Sequence, residues 1–150
     1  MEAENIGVIG VIGAGQMGRG IAEVSAAAGY EVLLTDVNGD RAMAGKNEIG
    51  RGLAKQVAQG RLDEGVREAL LDRIRPTGGF EEFGGVDVAI EAATEQEALK
   101  VSIFKEADAR MRPDAILASN TSSISLTRLA GQTSRPEKVI GMHFMNPVPR

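Results

Sequence analysis

The sequence predicts an α/β domain built on a doubly wound, mostly parallel β-sheet, with a helical hairpin inserted after the second strand. Short apolar strands alternate with longer helical segments along the chain. A glycine-rich turn joins the first strand to the first helix. The length of 150 residues is enough for one domain with its own core, so we expect a single domain over 1–150.

The first half of the chain supplies two strands and the hairpin. The predicted elements are a strand over 6–12, a helix over 16–28, a strand over 31–35 and helices over 38–59 and 62–74. The first helix is rich in alanine and is followed by Gly29, a residue suited to ending a helix. Gly60 separates the two later helices, and Asp63 is placed to cap the second of them.

The second half continues the alternation. It predicts strands over 75–77 and 86–91, a helix over 96–111, a strand over 115–118, a short helix from a Ser125 cap through Leu129, and a last strand over 139–143. Strands separated by helices run parallel, because the chain must cross over between them. The repeated strand–helix order therefore favours a doubly wound sheet.

Composition excludes several classes of function. A net charge of −4, with one Tyr, four Phe and no Trp, argues against nucleic-acid binding, which needs a basic surface and often stacking aromatic rings. The absence of cysteine excludes disulfides and thiolate metal sites, and we expect no metal. The longest apolar runs have the length of strands, and the acidic start differs from a secretory leader. We expect a cytoplasmic protein, with an organelle matrix as the alternative, and no membrane partner.

The turn after the first strand has the pattern G-x-G-x-x-G. Its residues are Gly13, Ala14, Gly15, Gln16, Met17 and Gly18. In this setting the first glycine permits a tight turn, the second lets the backbone approach a pyrophosphate, and the third lets the helix pack close to the strand. The helix N-terminus then offers N–H groups to the phosphates. The turn predicts a dinucleotide-binding domain of the Rossmann type.

Asp36 follows the second strand, where a carboxylate can accept hydrogen bonds from an adenine ribose. The same charge would repel the additional phosphate of NADP, so NAD is the expected cofactor. Arg41 lies nearby and can accommodate a phosphate, which weakens that preference. Alternatively, Asp36 merely starts a turn with Asn38 and Gly39.

Polar residues also follow two strands of the second half. Asn120 to Ser123 come after the predicted strand 115–118, and His143, the only histidine, ends the last strand. Ligands bind outside the carboxyl ends of strands in such sheets, and imidazole suits the base of a hydroxyl oxidation. A turn with a helix cap explains Asn120 to Ser123 equally well, and a lone histidine is often structural.

Four segments together resemble a known family in order and spacing. They are Gly13-Ala14-Gly15-x-Met17-Gly18, Ile90-Glu91-Ala92, Asn120-Thr121-Ser122-Ser123 and His143-Phe144-Met145-Asn146-Pro147-Val148-Pro149. The resemblance is to the 3-hydroxyacyl-CoA dehydrogenases, including the bacterial 3-hydroxybutyryl-CoA enzymes, and it covers nearly the whole chain. It implies NAD-dependent oxidation of (3S)-3-hydroxyacyl-CoA to 3-oxoacyl-CoA, or the reverse. Alternatives are another β-hydroxyacid dehydrogenase or a non-catalytic dinucleotide-binding or structural protein.

The resemblance assigns roles to individual residues. It implies that His143 is the general base and that Ser122 hydrogen-bonds the reacting oxygen. Asn120 and Asn146 match residues that line the nicotinamide and substrate pocket. Glu95 and Lys100 match a glutamate and a lysine near the cofactor, although the first turn of a solvated helix would explain both.

Two departures from the family bear on substrate binding. The family has a glutamate shortly after its histidine, and a helical C-terminal domain that forms much of the acyl pocket and the homodimer. These 150 residues include neither, so we expect the chain to bind NAD but to be poorly active. In the hairpin, Gly52 and Gln59 stand where the family has a serine and a lysine that contact CoA. Lys55 is the expected substitute for that charge, with Arg61 as the alternative.

Overall fold

In a computed structural model of the chain, residues 5–94, 96–119, 126–142 and 149 are described. These residues form a six-stranded, all-parallel sheet in the order β3-β2-β1-β4-β5-β6. The strands are β1 (Val8–Ile12), β2 (Glu31–Asp36), β3 (Ile74–Gly78), β4 (Val88–Glu91), β5 (Ile116–Ser119) and β6 (Val139–Gly141). The order reverses between β1 and β4, which confirms the doubly wound sheet and places its crevice there.

Helices connect the strands as the sequence predicts. They are α1 (Gln16–Ala27), α2 (Gly39–Ala58), α3 (Glu64–Asp72), α4 (Glu97–Arg110) and α5 (Leu126–Ala130). The predicted hairpin after β2 is formed by α2 and α3, and Gly60 turns between them with a φ of +73°. Among the described residues, no helix has the length and apolar character needed to cross a membrane.

Several boundaries differ from the sequence expectation. The sequence pattern places Ile74 at the end of a helix, but α3 ends at Asp72 and Ile74 begins β3, where it pairs with Val32 and is 1% exposed. Burial in the sheet outweighs the helical pattern at that position. Asp63 occupies the N-cap position of α3, yet its side chain makes no capping hydrogen bond. Two 3₁₀ turns, at Phe83–Gly85 and Pro136–Lys138, are not predicted by the sequence.

Apolar side chains cover both faces of the sheet. One cluster joins the strands to α1, α2 and α3 through residues such as Ile21 and Leu53. The other joins them to α4 and α5 through Phe104 and Leu129. A sheet buried on both faces requires strands that are apolar on both sides, which explains the continuous apolar runs in the sequence.

Arg135 connects the end of α4 to the start of β5 by hydrogen bonds. Its guanidinium is buried, pairs with the Asp108 carboxylate at 2.6 Å, and donates to the carbonyl oxygens of Asp108, Met111 and Ala115 at 3.0 Å each. The Asp108 carboxylate also accepts from the N–H and hydroxyl of Ser134. Carbonyls at a helix end have no partner within the helix, so one planar cation satisfies several of them.

Stability is expected to fall in acid because of Asp108. Burial acts to raise the pKa of Asp108, but the Ser134 N–H and the Arg135 guanidinium outweigh it and hold that pKa below its usual value. A lowered pKa stabilises the fold above the unfolded value of about 3.9, and this stabilisation is lost as pH falls through the folded pKa. Urea unfolding at neutral pH and at about pH 3 measures the loss.

Asp108→Asn should lower the free energy of unfolding at neutral pH by about 3 kcal/mol, because it leaves buried Arg135 unpaired. The variant should also lose less stability in acid than the unaltered chain. Asp72→Asn, an exposed position on α3, is the matched control and should change neither property. An unchanged acid dependence in Asp108→Asn would contradict this role of the pair.

Candidate functional site

The turn between β1 and α1 packs so closely that two of its glycines have no room for a side chain. Gly13 has a φ of +113°, and a Cβ there would lie 2.9 Å from the Ala92 carbonyl oxygen. A Cβ on Gly18 would lie 1.7 Å from the Gly13 carbonyl oxygen. The helix therefore approaches the strand as the motif predicts, while the contact of these residues with a cofactor stays a prediction.

Gly15 is in the opposite situation. It is exposed at the N-cap of α1, and an added Cβ would meet no atom within 4 Å. Among the described residues no side chain caps α1, and its first turn has no acidic residue. Gln16 is exposed and Met17 half-buried in that turn. The arrangement leaves space and backbone N–H groups for an anion at the carboxyl end of β1.

Asp36 lies at the end of β2 and ties that strand to the glycine turn. One carboxylate oxygen accepts from the backbone N–H of Ala14 at 2.8 Å, and the other accepts from the N–H of Val37 at 2.7 Å. Each oxygen has further lone pairs for a ribose hydroxyl. The expected ribose contact and the alternative turn role are therefore compatible. Arg41 is exposed, and its N–H donates to the side chain of Asn38, which caps α2.

A buried polar network lies at the carboxyl ends of β4 and β5. Glu91 is 0% exposed, Lys100 is 1% exposed and Ser119 is 0% exposed. The Lys100 ammonium lies 2.5 Å from Glu91 Oε1, and the Ser119 hydroxyl donates to the same oxygen at 2.8 Å. The alternative that Lys100 belongs to a solvated helix turn is therefore wrong, while its cofactor contact stays a prediction.

Sequence reasoning missed this network, although a signal was present. Glu91 ends a strand whose other residues are all apolar, and a carboxylate is rarely buried without a partner. A basic residue on the following helix is the expected partner of such a carboxylate. Lys100, in the first part of α4, meets that requirement.

The other predicted residues of this edge lie outside the described residues. They are Glu95, Asn120, Ser122, His143 and Asn146. The strand ends next to them are described. Ser119 pairs with Glu91 and Gly141 in the sheet, and its carbonyl oxygen accepts from the N–H of Met142 at 3.0 Å. The strands β5 and β6, which precede Asn120 and His143 in the sequence, are therefore neighbours in the sheet.

The residues expected to contact CoA lie on the hairpin. Lys55 and Arg61 are exposed, and Gln59 is the C-cap of α2. An added Cβ at Gly52 would meet no atom within 4 Å, so packing does not require glycine there. The contact of α2 with the glycine turn is at Gly45, where an added Cβ would lie 2.9 Å from the Ala14 Cβ. The contact of Lys55 with substrate stays a prediction.

Comparison with known proteins adds to this geometry. Residues 8–150 match the family described as 3-hydroxyacyl-CoA dehydrogenase, NAD binding domain. The chain is 50% identical over 141 residues to the 3-hydroxybutyryl-CoA dehydrogenase of Bradyrhizobium diazoefficiens, covering 94% of this chain and 48% of the relative. It is 42% identical over 146 residues to the fatty acid oxidation complex subunit alpha of Pseudomonas entomophila, covering 97% and 20%.

Solved structures agree with the sequence comparison. The (S)-3-hydroxybutyryl-CoA dehydrogenase of Ralstonia eutropha superposes with a TM-score of 0.93 at 40% identity, covering 97% of this chain and 51% of that one. The chain thus spans about half the length of these two 3-hydroxybutyryl-CoA dehydrogenases, from Bradyrhizobium diazoefficiens and Ralstonia eutropha.

Proposed function

Because the chain belongs to the family of 3-hydroxyacyl-CoA dehydrogenase NAD-binding domains, we propose that the protein oxidises (3S)-3-hydroxyacyl-CoA to 3-oxoacyl-CoA, or catalyses the reverse reaction. NAD is the cofactor of this family of domains. The observation that carries the proposal is the glycine turn, with Asp36 bonded to it, at the point where the strand order reverses. Identity of 50% to a 3-hydroxybutyryl-CoA dehydrogenase supports the substrate class.

The described residues fit a dinucleotide. The open space beside Gly15 and the uncapped start of α1 accommodate a pyrophosphate, and Asp36 has free lone pairs for the adenine ribose. Gly13, Ala14, Gly15, Gln16, Met17 and Gly18 would provide the turn around the phosphates. Glu95, Lys100, Asn120, Ser122 and Asn146 are proposed on the nicotinamide side, by resemblance.

In the proposed reaction, bound NAD supplies the hydride acceptor. His143 removes the proton of the 3-hydroxyl, so that the carbon can release its hydride and become a carbonyl. Ser122 donates a hydrogen bond to the same oxygen and holds it in place. In the reverse direction His143 returns the proton to the carbonyl oxygen.

The greater length of the relatives suggests that a further segment contributes to substrate binding and dimerisation in the whole protein. The chain spans about half the length of the Bradyrhizobium and Ralstonia 3-hydroxybutyryl-CoA dehydrogenases, so we place the rest of the acyl pocket and the homodimer contact in a further segment. Lys55 is the proposed CoA contact within this chain. A cytoplasmic location is part of the same proposal.

Reduction of acetoacetyl-CoA by NADH tests the proposal. A protein extended to the length of its relatives should consume NADH with this substrate. Residues 1–150 alone should bind NADH but turn over at least tenfold more slowly, because positioning contributes several kcal/mol to catalysis. No reduction by the extended protein would contradict the proposed activity, and equal rates would contradict the role given to the further segment.

Asp36 is expected to set the preference for NADH over NADPH. The unaltered chain should bind NADH at least tenfold more tightly, a difference of about 1.4 kcal/mol. Asp36→Ala should reduce the ratio of NADH affinity to NADPH affinity. It should also weaken NADH binding, because the Ala14 N–H loses its acceptor. Titration by nucleotide fluorescence measures both affinities. Asp40→Ala, an exposed acidic position on α2, should leave the ratio unchanged. If the unaltered chain binds NADH and NADPH with equal affinity, Asp36 does not set the cofactor preference.

A further inference from the structure

The end of β3 lies directly against the turn that follows β2. Gly78 pairs with Asp36 in the sheet. A Cβ added at Gly78 would lie 2.8 Å from the Gly39 backbone nitrogen and 3.1 Å from the Asn38 carbonyl carbon. Both are backbone atoms, so neither can rotate aside as the end of a side chain can. The turn over 37–39 therefore occupies the space that any side chain at position 78 would need.

Hydrogen bonds connect the same two strand ends. The Thr35 hydroxyl donates to the Gly79 carbonyl oxygen at 2.7 Å, and the Gly79 N–H donates to the Asp36 carbonyl oxygen at 3.4 Å. Thr35 is 1% exposed, and a hydroxyl buried to that degree needs a partner within the protein. The backbone on both sides of Asp36 is thus held against the last residues of β3 and the glycine that follows them.

The position of the turn after β2 determines where the Asp36 carboxylate lies. One of its oxygens accepts from the Ala14 N–H in the glycine turn, and the other accepts from the Val37 N–H. At the far end of the turn, Asn38 caps α2 by accepting from the Arg41 N–H. A displacement of residues 37–39 would therefore reach the carboxylate through the Val37 N–H and change its alignment with the glycine turn.

We propose that Gly78 is a positioning residue for cofactor choice: because it has no side chain, the turn after β2 packs on β3 and aligns Asp36 with the adenine ribose. Gly78 acts through Asp36, and the Thr35 hydroxyl holds the same contact in place. The inference rests on the ribose contact given to Asp36 in the proposed function. An unaltered chain that does not favour NADH over NADPH would overturn both. An unchanged preference in a Gly78 variant would overturn the positioning role alone.

Titration of Gly78→Ala with NADH and with NADPH tests the proposal. NADPH has a phosphate on the ribose hydroxyl that Asp36 is proposed to bind, so it gains nothing from the alignment of that carboxylate. NADH affinity should fall roughly fivefold, the loss expected for one hydrogen bond, while NADPH affinity stays within about twofold. Gly85→Ala, at an exposed position where an added Cβ meets nothing, is the matched control and should change neither affinity. Equal weakening of both nucleotides would overturn the proposal, since a general disturbance of the domain would have that effect.

Combining Gly78→Ala with Asp36→Ala tests whether the glycine acts through the carboxylate. Residues that act through one another have effects that do not add. Once the carboxylate is absent, Gly78→Ala should weaken NADH binding by less than about twofold. If Gly78→Ala causes its full loss of NADH affinity in the Asp36→Ala background as well, the glycine acts independently of Asp36 and the proposal is wrong.

Thr35→Val provides a test that does not depend on crowding at position 78. Valine has nearly the shape of threonine but no hydroxyl, so the Gly79 carbonyl oxygen loses its donor. NADH affinity should fall roughly threefold with NADPH affinity unchanged, since one neutral hydrogen bond is lost. Thr35→Ser keeps the hydroxyl and should bind NADH as the unaltered chain does. Unaltered NADH affinity in Thr35→Val, or a serine variant as weak as the valine variant, would overturn the claim that β3 holds Asp36 in place.

Discussion

Gly18→Ala is expected to destabilise the domain severely, whereas Gly15→Val should leave it folded and remove most of its affinity for NADH. A Cβ added at Gly18 would lie 1.7 Å from the Gly13 carbonyl oxygen, a backbone atom with no freedom to move aside. We expect a loss of about 3 kcal/mol or more in the free energy of unfolding. At Gly15 the backbone is extended, with φ −76° and ψ −170°, and the space beside it is open. A valine there fits the fold but occupies the place of the pyrophosphate.

Thermal unfolding and NADH titration together measure the two effects. Gly15→Val should weaken NADH binding roughly a hundredfold, about 2.7 kcal/mol, with a small change in Tm. Gly65→Ala, at an exposed position in α3 where an added Cβ meets nothing, is the control and should preserve NADH binding without lowering Tm. Normal NADH binding by Gly15→Val, or a Gly18→Ala variant as stable as the unaltered chain, would contradict these roles of the two glycines.

His143→Gln carries the second large effect, in a protein extended to the length of its relatives. Loss of a general base typically lowers the rate by roughly a hundredfold to ten-thousandfold. Glutamine keeps much of the size and hydrogen-bonding capacity of histidine but cannot accept the hydroxyl proton at neutral pH. We therefore expect kcat for acetoacetyl-CoA reduction to collapse while NADH affinity remains near its original value.

Steady-state kinetics alongside NADH titration check this expectation. A matched Ser122→Ala variant should lower kcat as well, by a smaller factor, because it removes a hydrogen bond and leaves the base. Near-normal turnover of His143→Gln would leave the histidine as a structural residue. A parallel loss of NADH affinity would likewise contradict its assignment as a base.

Local sequence patterns predict the glycine turn and most of the strands. The glycine spacing predicts the turn from β1 to α1, and apolar runs predict every strand except β3, because these signals come from neighbouring residues. The prediction for Ile74 is wrong for the opposite reason. Its pattern fits a helix, but its pairing with Val32 is a contact between distant parts of the chain.

The buried network of Glu91, Lys100 and Ser119 also depends on contacts between distant parts of the chain, which sequence patterns do not show. In sequence Lys100 resembles an exposed helix residue, because a lysine in the first part of a helix usually is one. Its burial depends on Glu91 and on Ser119 of the next strand, which only the sheet brings together. The bond from Ala14 to Asp36 is also invisible in sequence, although both residues are singled out there.

Titration of residues 1–150 with NADH, with NADPH as the comparator, tests the central claim that this chain is an NAD-binding domain. We predict one-to-one binding measured by calorimetry, with NADH favoured over NADPH by at least tenfold. The chain's circular dichroism should show a folded α/β protein in the same buffer. A folded chain that binds neither nucleotide, or that binds NADPH more tightly, would contradict the claim.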